Sequence, residues 1–193
     1  MLVTKESYRI GIAVLRIGVG IIFLWAGLEK LMAPEPFSAA GFLQFATGGS
    51  LGWPFVSGEV VEGTVFNPTQ AFWVGMAAND SAMSVINFLV PYGQAGIGIG
   101  LILGLLTRFS AAMGTLMMLF FFVAAWDFEF GIVNQHLTYA LVTAFLGLIG
   151  AGNYYGLDLA IGDSAPAWVR RWFLSGTPGA AAGTDPSLHP MTA

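Results

Sequence analysis

Apolar residues along the chain collect into four long runs separated by polar breaks, and the middle two runs set the scale. Val85 to Leu106 contains no charged residue, Phe109 to Trp126 contains none, and only Thr107-Arg108 lies between them. Each is long enough to cross a hydrocarbon core of about 30 Å as a helix rising about 1.5 Å per residue. Neither half carries the polar face expected of a helix on the surface of a water-soluble domain. The pair therefore predicts a transmembrane hairpin with a minimal turn. A further run, Ile10 to Met32, is interrupted by Arg16 and closed by Glu29-Lys30, and Ile132 to Gly150 follows a turn at Gly131. The predicted spans are 10–32, 85–106, 109–130 and 132–150. They make an all-α integral membrane protein, a four-transmembrane-helix bundle over residues 1–160.

Polar and small residues recur inside these runs at helical spacing. Arg16, Gly20, Phe23, Gly27 and Lys30 share one face of the first helix; Asn87, Pro91, Gln94 and Gly98 share one face of the second. His136, Tyr139, Thr143 and Gly147 form a stripe on the fourth. Small residues let helices approach closely and charges avoid lipid, so these faces should point into the bundle. Arg16 would then sit about 9 Å inside the boundary, and Gln94 near the bilayer centre. Gly96, Gly100 and Gly104 repeat every fourth residue, a pattern of close packing; no strand precedes these glycines, which rules out a nucleotide loop.

The connection 33–84 has several prolines and four acids, Glu35, Glu59, Glu62 and Asp80, but no Lys or Arg. Its apolar pieces, Phe37 to Ala46 and Thr69 to Ala78, are too short to cross and read as interfacial helices in the first outer loop. Asn67-Pro68 and Asn79-Asp80-Ser81 are cap or turn signals before helical pieces. Residues 161–193 form an interfacial segment and a tail. Pro166 to Leu174 pairs Trp168 and Trp172 with Arg170-Arg171, an amphipathic anchor suited to an anionic surface. Ser175 to Ala193, rich in Gly, Pro, Ala, Ser and Thr, should be disordered unless something holds it.

Composition sharpens the picture. Only 9% of the 193 residues are charged and 56% are hydrophobic, against about a quarter charged in soluble proteins. The chain has no cysteine, hence no disulfide, iron–sulfur centre or Cys-ligated zinc, and any electron chemistry must pass through a bound small molecule or a partner subunit. There are two histidines, so a bis-histidine haem would need His189 of the tail. No metal site, flavin site or nucleic-acid partner is implied. Lys5, Arg9, Arg16, Arg108, Arg170 and Arg171 lie on or towards one side of the four spans, against Lys30 alone on the other. The excess of positive charge predicts both termini in the cytoplasm, a multi-pass protein of the inner (cytoplasmic) membrane without a cleaved signal, and an acidic loop facing outward.

That orientation gathers candidate chemistry near the outer end. Lys30, Trp126, Asp127, Glu129, Asn134 and His136 lie there, with Gln94 deeper. A basic residue, an imidazole, carboxylates and aromatics suit a quinone head group, whose carbonyls need donors and whose reduction needs protons. Candidate catalytic groups are His136, Asp127 and Glu129; candidate cofactor-binding residues are Arg16, Lys30, Gln94, Trp126, Asn134 and His136. The blander reading leaves these acids and the histidine as hydrated helix ends.

The sequence resembles the DoxX/DoxD family of small membrane proteins. The resemblance rests on Leu15-Arg16-Ile17 with Gly20, Phe23, Ala26-Gly27 and Lys30-Leu31, then Gly93, Gly98, Gly104-Leu105-Leu106-Thr107-Arg108 and Ala111-Ala112, and finally Asn134, His136, Gly152 and Gly156-Leu157-Asp158. It covers about residues 10 to 160. It implies a four-helix membrane bundle and, in the DoxD branch, a subunit of a thiosulfate:quinone oxidoreductase working beside other subunits of a membrane complex. Other members resemble partners of oxidative-stress or thiol-handling proteins. Gln94 stands where the family commonly has glutamate, which removes a mid-membrane proton acceptor. The alternative is a non-catalytic scaffold or anchor subunit of a larger membrane complex.

Overall fold

A computed structural model describes residues 5–43, 67, 69–125 and 135–175. Their regular structure is all helical: α1 (Lys5–Leu31), α2 (Gln70–Ala77), α3 (Asp80–Leu103), α4 (Thr107–Ala124), α5 (Gln135–Leu148), α6 (Leu157–Ile161) and α7 (Ala167–Trp172), with a short 3-10 turn over Ala151–Asn153. Among the described residues three helices, α1, α3 and α4, are long and apolar enough to cross a membrane. Their outward faces carry Val14, Ile21 and Trp25, Val85, Phe88 and Leu89, and Leu116 and Phe120, all exposed. Water would penalise so continuous an apolar surface; hydrocarbon would not.

The spans differ from their predicted limits for a physical reason. Apolar runs mark where lipid begins and ends, whereas helices continue into the headgroup region until a cap stops them. The α1 helix accordingly starts at Lys5, before the apolar run. The start of α3 falls at Asp80, because the Asn79 side chain caps it by accepting from the Ala82 N–H at 3.0 Å. The fourth predicted span appears as α5, whose described length of 14 residues is about 21 Å, short of a crossing by itself. The residues just before it, 126–134, lie outside the described part.

The core is built from pairs. The α1 helix packs chiefly on α3, α4 chiefly on α5, and the α3–α4 turn joins the pairs. Buried positions of α1 are Ile12, Ala13, Arg16, Val19, Gly20, Phe23 and Gly27, and those of α3 include Pro91, Gln94 and Gly98, the faces that spacing predicts. At the α1–α3 crossing a Cβ on Gly27 would come within 2.7 Å of the Pro91 carbonyl, and one on Gly98 would strike the Leu24 backbone. The backbones touch, so only glycine fits. The predicted repeat of Gly96, Gly100 and Gly104 does not form this seam. Nothing lies within 4 Å of a Cβ at Gly96, while Gly104 ends α3 in the left-handed region at φ +63°. Between α4 and α5, Thr115 and Thr143 hydroxyls lie 3.0 Å apart.

One end of the bundle is covered by the connection after α1. Ala39, Leu43, Trp73, Met83 and Ala124 form a second apolar cluster there. Asn67 ties it down: its side-chain amide donates to the carbonyls of Val123 (2.9 Å) and Ala124 (3.2 Å), and its oxygen accepts from Thr69. The predicted piece Thr69 to Ala78 is α2. Residues 44–66 and 68 of the predicted outer loop, and 176–193 of the tail, lie outside the described residues.

Candidate functional site

Polar groups of the described chain gather at the two ends of the bundle. At one end the α3–α4 turn must reverse the chain within three residues, and nothing local caps α4. Leu106, which precedes it, adopts φ +50° and offers no side-chain cap. A non-glycine residue there costs about 1 kcal/mol. Asp158, distant in sequence, stabilises the turn. Its carboxylate accepts from the Leu106 N–H at 2.8 Å and the Thr107 N–H at 3.0 Å, while its own N–H donates to the Gly104 carbonyl at 2.8 Å. Ser175 completes the set, donating through its N–H (3.1 Å) and hydroxyl (3.0 Å) to Asp158 and accepting from the Gly152 N–H (2.9 Å).

Arg16 lies beneath this cluster, 0% exposed. Its guanidinium donates to the Ala151 carbonyl at 2.9 Å and the Tyr155 carbonyl at 3.3 Å. The side chain points into the bundle and does not snorkel to the headgroups. Arg16 Nε, Thr107 Oγ1 and Asn153 Oδ1 are buried without a protein partner. Glu6 accepts a hydrogen bond from the Tyr155 hydroxyl, and Arg9 lies 5.3 Å from the centre of the Tyr155 ring. That hydrogen bond pushes the Tyr155 phenol above its ordinary value, with Arg9 opposing; loss of solvent pushes Tyr154 up. Backbone N–H groups and Ser175 engage the Asp158 carboxylate and backbone carbonyls engage the Arg16 guanidinium, so this end clamps the helix turn.

The other polar set is spread along the opposite half. Gln94 is 5% exposed, and its Oε1 has no hydrogen-bond partner. It lies on the α3 face that meets α1, between the tight contacts of Pro91 and Gly98. Lys30, in the last turn of α1, donates to the Ala26 carbonyl at 2.9 Å and stands 5.8 Å from the centre of the Phe37 ring. The half-buried His136 ring meets Phe121 edge-on at 5.7 Å, and Phe121 meets Phe42 at 6.0 Å, so an aromatic path runs from His136 to the covering segment.

The predicted site residues are thus divided. Arg16 and Lys30 are about 21 Å apart along α1, too far to grip one small head group. Lys30, Gln94 and His136 remain in the other half of the bundle, while Trp126, Asp127, Glu129 and Asn134 lie outside the described residues. A cavity of about 440 Å³ at this end, between Phe72 and Trp73 of α2 and Leu116, Leu119 and Phe120 of α4, is apolar, and none of the candidates lines it. Among the described residues no group of three or more His, Asp or Glu side chains could hold a metal ion. What sequence reasoning missed is the joint role of Asp158, Thr107 and Ser175. The apolar run begins at Phe109, so nothing in the sequence signals that the helix starts at Thr107, with no Ser, Asp or Asn before it, and needs a cap from elsewhere.

Among known protein families, the profile of the DoxX family matches residues 11–127, from the first turns of α1 to just beyond α4. No curated protein matches the chain, and no solved structure does.

Proposed function

The chain belongs to the DoxX family, and from that premise we propose that it is the membrane subunit of a redox complex of the thiosulfate:quinone oxidoreductase type. On this reading it holds a quinone in the half of the bundle that carries Lys30, Gln94 and His136. The observation that carries the reading is Gln94, a buried amide oxygen in mid-span with no partner of its own. An unsatisfied acceptor in a low-dielectric interior is costly unless a ligand or water completes it. A quinol hydroxyl is a donor of the required kind. Lys30 and His136 supply donors for the carbonyl form. Asp127 or Glu129 supplies the protons that accompany two electrons from quinone to quinol. The electrons come from a partner subunit, since this chain has no thiol to relay them.

The test is the quinone content of the purified protein and thiosulfate-dependent quinone reduction with its partner. Gln94→Leu should lower both, and Lys30→Ala with His136→Ala should abolish turnover. Unchanged turnover in all three would sink the assignment. A second reading, a non-catalytic anchor subunit, is favoured by the clamp around Asp158, where the polar residues serve assembly. A stoichiometric complex that copurifies without quinone would decide for it.

A further inference from the structure

The segment after α5 carries a surface that the redox reading does not use. Beyond the spans, α6 and α7 expose Leu157, Leu159, Trp168 and Trp172, the two tryptophans at 63% and 67%. Two tryptophans so exposed on one short helix mark an interaction face. Cations lie at the same end: Arg170 and Arg171 on α7, Arg108 at the start of α4, which donates to the Arg171 carbonyl, and Lys5 and Arg9 at the start of α1. Of the described acids at this end, Asp158 is buried in the clamp and Glu6 is paired with Tyr155 and Arg9, leaving Asp163 to oppose them.

The position of α7 distinguishes a lipid surface from a protein partner. Phe109, in the first turn of α4, is an exposed, lipid-facing residue, and the Phe173 ring lies 5.5 Å from it. The Phe109 N–H donates to the Phe173 carbonyl at 3.4 Å, and Arg108 donates to the Arg171 carbonyl at 3.1 Å. The helix is therefore bolted to the flank of a membrane span, at the level where that span leaves hydrocarbon. Trp168 packs edge-on against Phe173 at 6.1 Å, which directs the aromatic row along the same flank. Aromatic rings beside arginines at that depth match the headgroup layer of an anionic leaflet.

We infer that α7, held by the first turn of α4, is a binding surface for anionic phospholipid headgroups, with Trp168 and Trp172 seated among the glycerol-proximal parts of the acyl chains and Arg170 and Arg171 on the phosphates. The inference does not depend on the quinone reading. The full chain is reconstituted into vesicles of phosphatidylglycerol and phosphatidylcholine in equal amounts, and the lipid retained by the protein after extraction is measured by native mass spectrometry. The wild-type chain should retain phosphatidylglycerol in preference. Arg170→Gln with Arg171→Gln should reduce that preference about tenfold, and Arg170→Lys with Arg171→Lys should restore most of it. In the same vesicles, headgroup-proximal brominated lipid should quench a tryptophan component that Trp168→Phe with Trp172→Phe removes. A preference unchanged by the glutamine variant overturns the inference. So does a component quenched by aqueous acrylamide and not by brominated lipid, which would mark the face as a dock for a soluble protein.

Discussion

Asp158 shows how much one side chain decides. Its carboxylate accepts four hydrogen bonds, from three backbone N–H groups and the Ser175 hydroxyl, and thereby holds the α3–α4 turn and the end of the described chain together. Asp158→Ala should destabilise the protein by about 3 kcal/mol or more, read as a lower melting temperature in detergent, because hydrogen bonds to a charged acceptor are worth about 1.5–3 kcal/mol each. Thr107→Val, which removes a buried hydroxyl that has no protein partner, should stay within about 1 kcal/mol of wild type in the same measurement. Tyr155 gives a pH prediction. Its folded value is raised above 10.0 by donation to Glu6, so the contribution of that bond is intact at neutral pH and lost as pH rises through the raised value. An alkaline absorbance titration should show late-titrating tyrosines, one of which Tyr155→Phe removes.

At the scale of elements, the α1–α3 seam separates real contact from periodicity. Gly96 and Gly98 both look like packing glycines in the sequence, yet only the second meets a neighbouring backbone. Gly98→Ala should cost about 1–3 kcal/mol through overpacking, and Gly96→Ala should leave the melting temperature unchanged or slightly raised. Equal effects would mean that the helices cross elsewhere. The helical faces carrying Arg16, Gly20 and Gly27, and Pro91, Gln94 and Gly98, were legible because 3.6-residue periodicity is a local property of the chain. Which glycine touches which helix was not, because Gly96 and Gly98, two residues apart, point about 160° away from each other and only the packing of the helices decides which side meets a neighbour.

At the scale of the molecule, the contacts of Arg16, Asp158, Arg108 and Glu6 bring the start of α1, the α3–α4 turn and the segment 151–175 to one end, which therefore carries six of the seven Lys and Arg residues. The positive-inside rule predicts that this end faces the cytoplasm. The chain has no native cysteine, so single-site labelling is clean. Asp163→Cys should react with an impermeant maleimide only from the cytoplasmic side of a membrane vesicle, and Asp80→Cys only from the other. The reverse result would turn the molecule over and move the proposed lipid surface to the opposite leaflet.

Solvent preference acts residue by residue, so the sequence by itself determined that the chain is helical, that lipid surrounds it, and which helical faces turn inward. It also placed Gln94 deep and Lys30 and His136 away from Arg16. Only the tertiary structure decided that Asp158, braced by Ser175, reaches back to cap a helix begun some fifty residues earlier, and that α7 lies against Phe109. Those contacts join positions far apart along the chain, and no local pattern of apolar and polar residues encodes a distance across the fold.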